Sequence, residues 1–295
     1  MTTRTHIPGD PWLYYKIYCG EKTADRLLVD VIHPLMEAVQ KEGWVSHWFF
    51  IRYSDPLPHI RLRMYVVDPE HLGVLILRLH QALQPWVQND TVHQLSIDTY
   101  QRELERYGVE HMELVEQLFA IDSVHTLRLL AWESDETTRL YYALLNMQHT
   151  LQAFQLPEGH LPQLIEGNAA AFKNEFRAQT KTNQQLKEKF KLHRQSLMGY
   201  LSDPPQPATP LTEILQQKRA ADQPVVAQLL LTPHSVPLTD LLSSLLHMQL
   251  NRIFYNRQRQ YEMLCYDFLA RWYAYKPYVP SLDPTNTNHS RLSKI

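Results

Sequence analysis

The 295-residue sequence predicts an α+β fold in two parts, an antiparallel sheet lobe followed by a mostly helical lobe. Three observations predict it. Segments 12–19, 48–64 and 92–102 are rich in aromatic and β-branched residues with apolar and polar positions alternating, which is strand character. Segments 24–41 and 69–83 instead repeat their apolar residues every three or four positions, which is helix character. From Tyr107 onward that second period dominates, so the strands end and helix follows helix.

After a short polar leader, 12–19 (WLYYKIYC) reads as a strand closed by Gly20. Segment 24–41 is a helix whose apolar face holds Leu27, Leu28, Val31, Ile32, Leu35, Met36 and Val39. Gly43 stops it, and Pro34 inside it predicts a bend. Segment 48–64 is a hairpin, because Ser54-Asp55-Pro56-Leu57-Pro58 separates its two apolar runs with turn-forming residues. Asp68 then caps a helix with Pro69 at its first position, and 92–102 returns as a strand. The order β-α-β-β-α-β is that of a ferredoxin-like split βαβ unit, with two helices on one sheet face and the other face left for a partner layer or a site. Helices are expected at 110–119, 124–154 (one helix, or two with a break near 133–135), 161–176, 183–200, 211–231, 237–255 and 261–275. Segments 161–176 and 183–200 are the more polar and belong on the outside. A proline-rich stretch at 202–210 is a linker or a loop over a site. One domain over 8–278 is expected, divided into a sheet lobe at 8–107 and a helical lobe at 108–278, with a flexible tail at 279–295.

With 44% hydrophobic residues the chain can bury a large core. Its 29 Lys+Arg against 31 Asp+Glu provide no overall field toward nucleic acid or an anionic membrane, so any anion site must be local. Cys19 and Cys265 form neither a disulfide framework nor a zinc pattern, which fits a reducing cytoplasm. No signal peptide and no apolar run long enough to span a bilayer are visible. Fifteen histidines supply no HExxH and no tight cluster, and eight glycines form no phosphate-cradling loop; neither metal nor cofactor is expected.

Along the second hairpin arm, His59, Arg61 and Arg63 share one face while Ile60, Leu62 and Met64 share the other. The row is either the wet side of an amphipathic strand or an anion clamp, since guanidinium forks match carboxylates. Tyr100 and Arg102 share a face of the last strand. Arg102 either joins the other two arginines or pairs with Glu103 or Glu105. In HMQLNR, His247 and Asn251 stand four apart on a leucine-rich helix, with Arg252 next in line. Such a histidine is a hydrogen-bonded core residue or an oriented general acid or base.

The blocks WLYYKIYCG, WFFIRYSDPLPHIRLRM, YQRELERYG followed by MELVEQLFAIDS, and HMQLNR occur in this order over almost the whole chain. Together they resemble the C-terminal elimination domain of class I lanthipeptide dehydratases, which also occurs as a separate chain in thiopeptide pathways. The resemblance implies a stand-alone module that expels glutamate from glutamylated Ser or Thr of a precursor peptide, leaving dehydroalanine or dehydrobutyrine. A separate tRNA-dependent protein would do the glutamylating. By matching motif it implies functional roles for Arg61, Arg63, Arg102 and His247; His59, Tyr100, Asn251 and Arg252 are expected to contact the substrate. The implied partners are the leader and core of the precursor peptide, with no direct nucleic acid and no membrane insertion; a homodimer is compatible. One departure is Tyr107-Gly108-Val109, where the family often has two glycines, so the turn into the helical lobe is expected to differ. Two other readings stay open: a pyridine-forming cycloaddition with leader release, and a non-catalytic partner that binds an extended leader on the open sheet face or at strand edges.

Overall fold

A computed structural model describes residues 2–275 except 134, 158, 179 and 202–208. Four strands make its main sheet: β2 (Trp12–Cys19), β3 (Val45–Ser54), β4 (Pro58–Val66) and β5 (Val92–Ile97), all antiparallel, in the order β3-β4-β2-β5. That is the ferredoxin-like order expected from the sequence. The leader is part of the structure as well, because β1 (Thr5–His6) pairs with β6 (Tyr100–Gln101) in a second small sheet. The expected strand at 92–102 is therefore two strands. Asp98 makes the break, with its backbone N–H on the Tyr14 carbonyl, its side chain accepting from Thr99 N at 2.7 Å, and its carboxylate drawn to Lys16.

Between β2 and β3 the helix runs as α1 (Glu21–Leu27), a π turn (Leu28–Ile32) and α2 (His33–Lys41). The π turn stands just ahead of Pro34, which has no N–H to offer the Asp30 carbonyl, so the wider turn absorbs the proline without ending the helix. Between β4 and β5, Asp68 accepts from Glu70 N to cap a 3₁₀ turn at Pro69–His71, which leads into α3 (Leu72–Gln88). One sheet face carries Leu13, Ile17, Ile60, Leu62 and Met64. It packs on Leu27, Leu28, Ile32, Met36, Leu75, Leu79 and Leu83 of these helices.

The partner layer for the other face is the helical lobe. It comprises α4 (Leu104–Tyr107), α5 (Met112–Trp132), α6 (Glu136–Ala153), α7 (His160–Glu175), α8 (Thr180–Tyr200), α9 (Pro210–Leu231), α10 (Leu238–Ile253) and α11 (Gln258–Tyr275). Trp12, Tyr14, Phe49 and Ile51 of the sheet share one core with Tyr107, Met112, Phe119 and the leucines of α10. Where a gap was expected near residue 120, α5 runs unbroken. Its polar residues have partners elsewhere: Ser123 Oγ donates to the Phe119 carbonyl and accepts from Phe50 N, while Asp122 meets Asn146, Lys218 and Arg252. α5 ends at Trp132 and α6 begins at Glu136, so two helices stand where one or two were expected, and α7 and α8 bury only one face each, as their polarity requires. Gly108, at φ +83°, makes the turn from α4 toward α5 in a conformation open to glycine, and a Cβ there would stand 3.0 Å from His111 Nδ1. Most of the proline-rich stretch and the tail from 276 lie outside the described residues. Among the described residues no helix is long and apolar enough to cross a membrane.

Candidate active site

The sheet face carrying the arginine row does not close fully on the helical lobe. A cavity of about 430 Å³ remains, lined by His59, Arg61 and Arg63 of β4, Tyr100 of β6, Tyr107 of α4, and His247, Met248 and Asn251 of α10. Strand register builds its floor. His59 lies between Tyr18 and Tyr53, Arg61 between Lys16 and Ile51, and Arg63 between Tyr14 and Phe49. Two residues along a strand advance by about 6.6 Å, so the guanidinium groups are spaced along one wall.

Both arginines are held by rings. The Arg61 guanidinium lies 3.5 Å from the centre of the Tyr53 ring, and its Nε donates to His59 Nε2 at 3.2 Å. His59 Nδ1 is 2.9 Å from the Leu57 carbonyl, which can only accept, so the proton sits on Nδ1 and Nε2 is free to accept from Arg61. Burial, with the nearby Arg61 charge adding to it, holds the His59 imidazole below its ordinary pKa and favours this neutral form. Arg63 is wrapped by Tyr100 at 4.3 Å, Tyr14 at 4.8 Å and Phe49 at 5.4 Å, and its buried Nε has no hydrogen-bond acceptor among the described residues. Neither Arg61 nor Arg63 has a carboxylate partner among the described residues. Aromatic faces fix such cations without quenching their forks, which leaves the donors for an anion.

Arg102 does not line the cavity. It forms a buried pair with Glu116, Nε to Oε1 at 2.8 Å and Nη2 to Oε2 at 2.6 Å, and neither Glu103 nor Glu105 is its partner. Glu116 Oε1 also accepts from the Tyr100 hydroxyl at 2.8 Å. Burial, and then the neighbouring Glu116 charge, push the Tyr100 phenol well above its ordinary pKa, so it stays a protonated donor. Arg102 thus reaches the site through Glu116 and Tyr100, whose ring packs on Arg63.

From the opposite wall, α10 presents His247. Its Nδ1 is 2.5 Å from Oε1 of Glu262 on α11, a carboxylate that is 1% exposed and whose other oxygen accepts from Arg259 at 2.7 Å. Nδ1 therefore carries the proton, and Nε2 is the nitrogen left for proton transfer. Asn251 and Arg252 serve the fold. Asn251 bridges the Arg52 backbone, accepting from N and donating to O at 2.8 Å each, and Arg252 Nε donates to the Phe50 carbonyl at 3.0 Å. Together they satisfy the Arg52 peptide and the Phe50 carbonyl on the outer edge of β3. Arg252 is fully buried, paired with Asp122 at 3.2 Å, and faces a second cavity behind α10.

Residues without a local sequence signal complete the site. Glu262 is fifteen positions from His247, and Glu116 is fourteen from Arg102. Arg257 lines the cavity with a left-handed backbone, φ +47°, that is costly for a non-glycine residue. No group of three metal-ligating side chains is gathered among the described residues.

Comparison with known proteins adds a family to this geometry. The profile of the lantibiotic biosynthesis dehydratase C-terminal domain matches residues 12–273. The subtilin biosynthesis protein SpaB of Bacillus subtilis is 29% identical over 187 residues, covering 62% of this chain and 18% of its own. The tRNA-dependent lantibiotic dehydratase MibB of Microbispora sp. 107891 superposes with a TM-score of 0.67 at 24% identity, over 89% of this chain and 28% of its own. The pyridine synthase TbtD from thiomuracin biosynthesis superposes at 0.64 with 13% identity, over 90% and 99% of the two chains. The chain thus spans less than a third of the length of SpaB and of MibB, and the two superpositions establish a shared fold.

Proposed function

This chain belongs to the lantibiotic biosynthesis dehydratase C-terminal family, and from that we propose that it is a lyase expelling glutamate from glutamylated Ser or Thr residues of a precursor peptide. The observation that carries the reading is the pairing of two guanidinium groups without a salt-bridge partner among the described residues, Arg61 and Arg63, with an imidazole oriented by a buried carboxylate across the same cavity. In the reaction His247 Nε2 takes the proton from Cα of the esterified residue. The electron pair collects on the adjacent carbonyl as an enolate, then forms the Cα–Cβ double bond while the Cβ–O bond breaks and glutamate leaves as a carboxylate. One proton and one glutamate leave, and a dehydroamino acid remains. Enolate and carboxylate are both oxyanions, and preorganised arginine forks stabilise both without reorganising at the moment of reaction. A tRNA-dependent glutamylating activity would supply the substrate.

Mass spectrometry of a glutamylated Ser/Thr peptide incubated with the purified protein tests this. Loss of one whole glutamic acid, giving the dehydrated residue, is expected. The likeness to TbtD supports a second reading, in which two dehydroalanines are joined into a pyridine ring with leader release. An inert glutamyl ester, together with a fully dehydrated peptide that cyclises and loses its leader, would replace the first reading with the second. Inertness toward both would leave a peptide-binding role.

A further inference from the structure

A glutamyl group esterified through its α-carboxyl still carries two charges, a γ-carboxylate and an α-ammonium. The arginine wall answers the first and repels the second. Among the described residues two carboxylates line the cavity, Glu21 and Glu103. Glu103 is engaged by Arg106 at 3.1 Å. Glu21 has no ion-pair partner among the described residues.

The position of Glu21 is fixed by its neighbours. It begins α1 directly after β2, and Tyr18 near the end of that strand lies opposite His59, so Glu21 stands at the hairpin end of the arginine row. Ala24, one turn further along the same helix face, is buried and lines the cavity too. Asp25, four residues on, locks this turn in place by bridging Arg52 (2.6 Å) and Arg139. An exposed acid in a first helical turn has a modest favourable interaction with the helix dipole. That interaction does not depend on which ester enters the cavity.

Resting on the elimination reading, we propose that Glu21 receives the α-ammonium of the glutamyl leaving group and so determines which acyl esters the enzyme accepts. A glutaryl ester keeps the distal carboxylate and lacks the ammonium. A charge-assisted hydrogen bond present with one ester and absent from the other discriminates by about tenfold.

The test compares kcat/KM for a glutamyl-Ser peptide and its glutaryl-Ser analogue. Wild type should prefer the glutamyl ester by about tenfold. Glu21→Gln should lose that preference by slowing the glutamyl ester and changing the glutaryl ester less than twofold. Glu103→Gln, which removes the paired lining carboxylate, should keep the wild-type preference. Equal slowing of both esters by Glu21→Gln, an undiminished preference, or loss of preference in Glu103→Gln instead would each overturn the assignment. Wild type that produces no dehydroalanine from either ester would refute the elimination reading itself, an outcome distinct from the other three.

Discussion

Asn251 and His247 sit four residues apart on one helix and line the same cavity, yet the structure gives them different work, and replacing Asn251 with alanine separates the two roles. Its side chain satisfies both polar groups of the Arg52 peptide at 2.8 Å and donates to Gln258 at 2.9 Å. Asn251 and Arg52 are each 8% exposed, so water has poor access once the amide is gone. A buried donor or acceptor left unpaired costs about 1–3 kcal/mol. Two such groups, partly relieved by relaxation at the sheet edge, give a loss of about 2–4 kcal/mol. For a chain of 295 residues that lowers Tm by about 3–6 °C. Thermal unfolding followed by circular dichroism measures the shift, and peptide dehydration at 15 °C measures what activity the folded fraction retains. His247→Gln keeps a donor for Glu262, so it should shift Tm by no more than about 2 °C while abolishing turnover. An Asn251→Ala protein with wild-type Tm and no activity would refute the reasoning and return Asn251 to the substrate.

Arg63→Lys should lower kcat/KM on a glutamylated peptide by about 10–100-fold, because a lysine ammonium cannot reproduce a fork stacked between Tyr14 and Tyr100; near-wild-type turnover would show that a point charge suffices. Glu262→Gln should reduce kcat by about tenfold with KM nearly unchanged, since it disturbs the orientation of His247 and leaves the arginine wall intact. A rise in KM at constant kcat would place Glu262 in substrate binding. His125, whose Nδ1 bonds the Ile121 carbonyl, is pushed down to about 4 by burial. The unfolded chain takes up that proton below about pH 6.5 and the folded chain does not, so this residue's contribution to stability is full near neutrality and is lost as pH falls toward 4. Urea midpoints should decline across that window, and His125→Asn should show a shallower decline; identical slopes would exclude the residue as a source.

Features that depend on a short local period were legible in the sequence. Alternation alone puts His59, Arg61 and Arg63 on one side of β4, and the three- and four-residue period puts His247 and Asn251 on one side of α10. The strand order followed from the run of elements. What depends on distant partners was not legible. Nothing near Asp122 and Ser123 announces that Arg252 and the Phe50 amide will satisfy them, so a helix looked interrupted where it continues. Likewise Asp98 ends β5 because Lys16 on the neighbouring strand attracts it, a fact of register. The partner of Arg102 depended on which helix would lie under β6, and Glu116 of α5 excludes the nearer acids in sequence.

The arginines show why burial and charge, read together, point to this cavity. A guanidinium taken out of water needs compensation, and a buried cation without an anion is costly. Arg52, Arg102, Arg139 and Arg252 obey that rule, each held by Asp25, Glu116 or Asp122. Arg61 and Arg63, half-buried on β4, are held by rings and one neutral histidine and form no salt bridge among the described residues. A fold that gives four buried arginines a contact carboxylate, and leaves two neighbours on β4 with only longer-range ones, Asp98 and Glu116, keeps guanidinium donors free for an anion at one place. That place lies opposite the imidazole that Glu262 orients. A substrate that develops negative charge there is stabilised most when that charge is fullest, which is the condition for accelerating its formation.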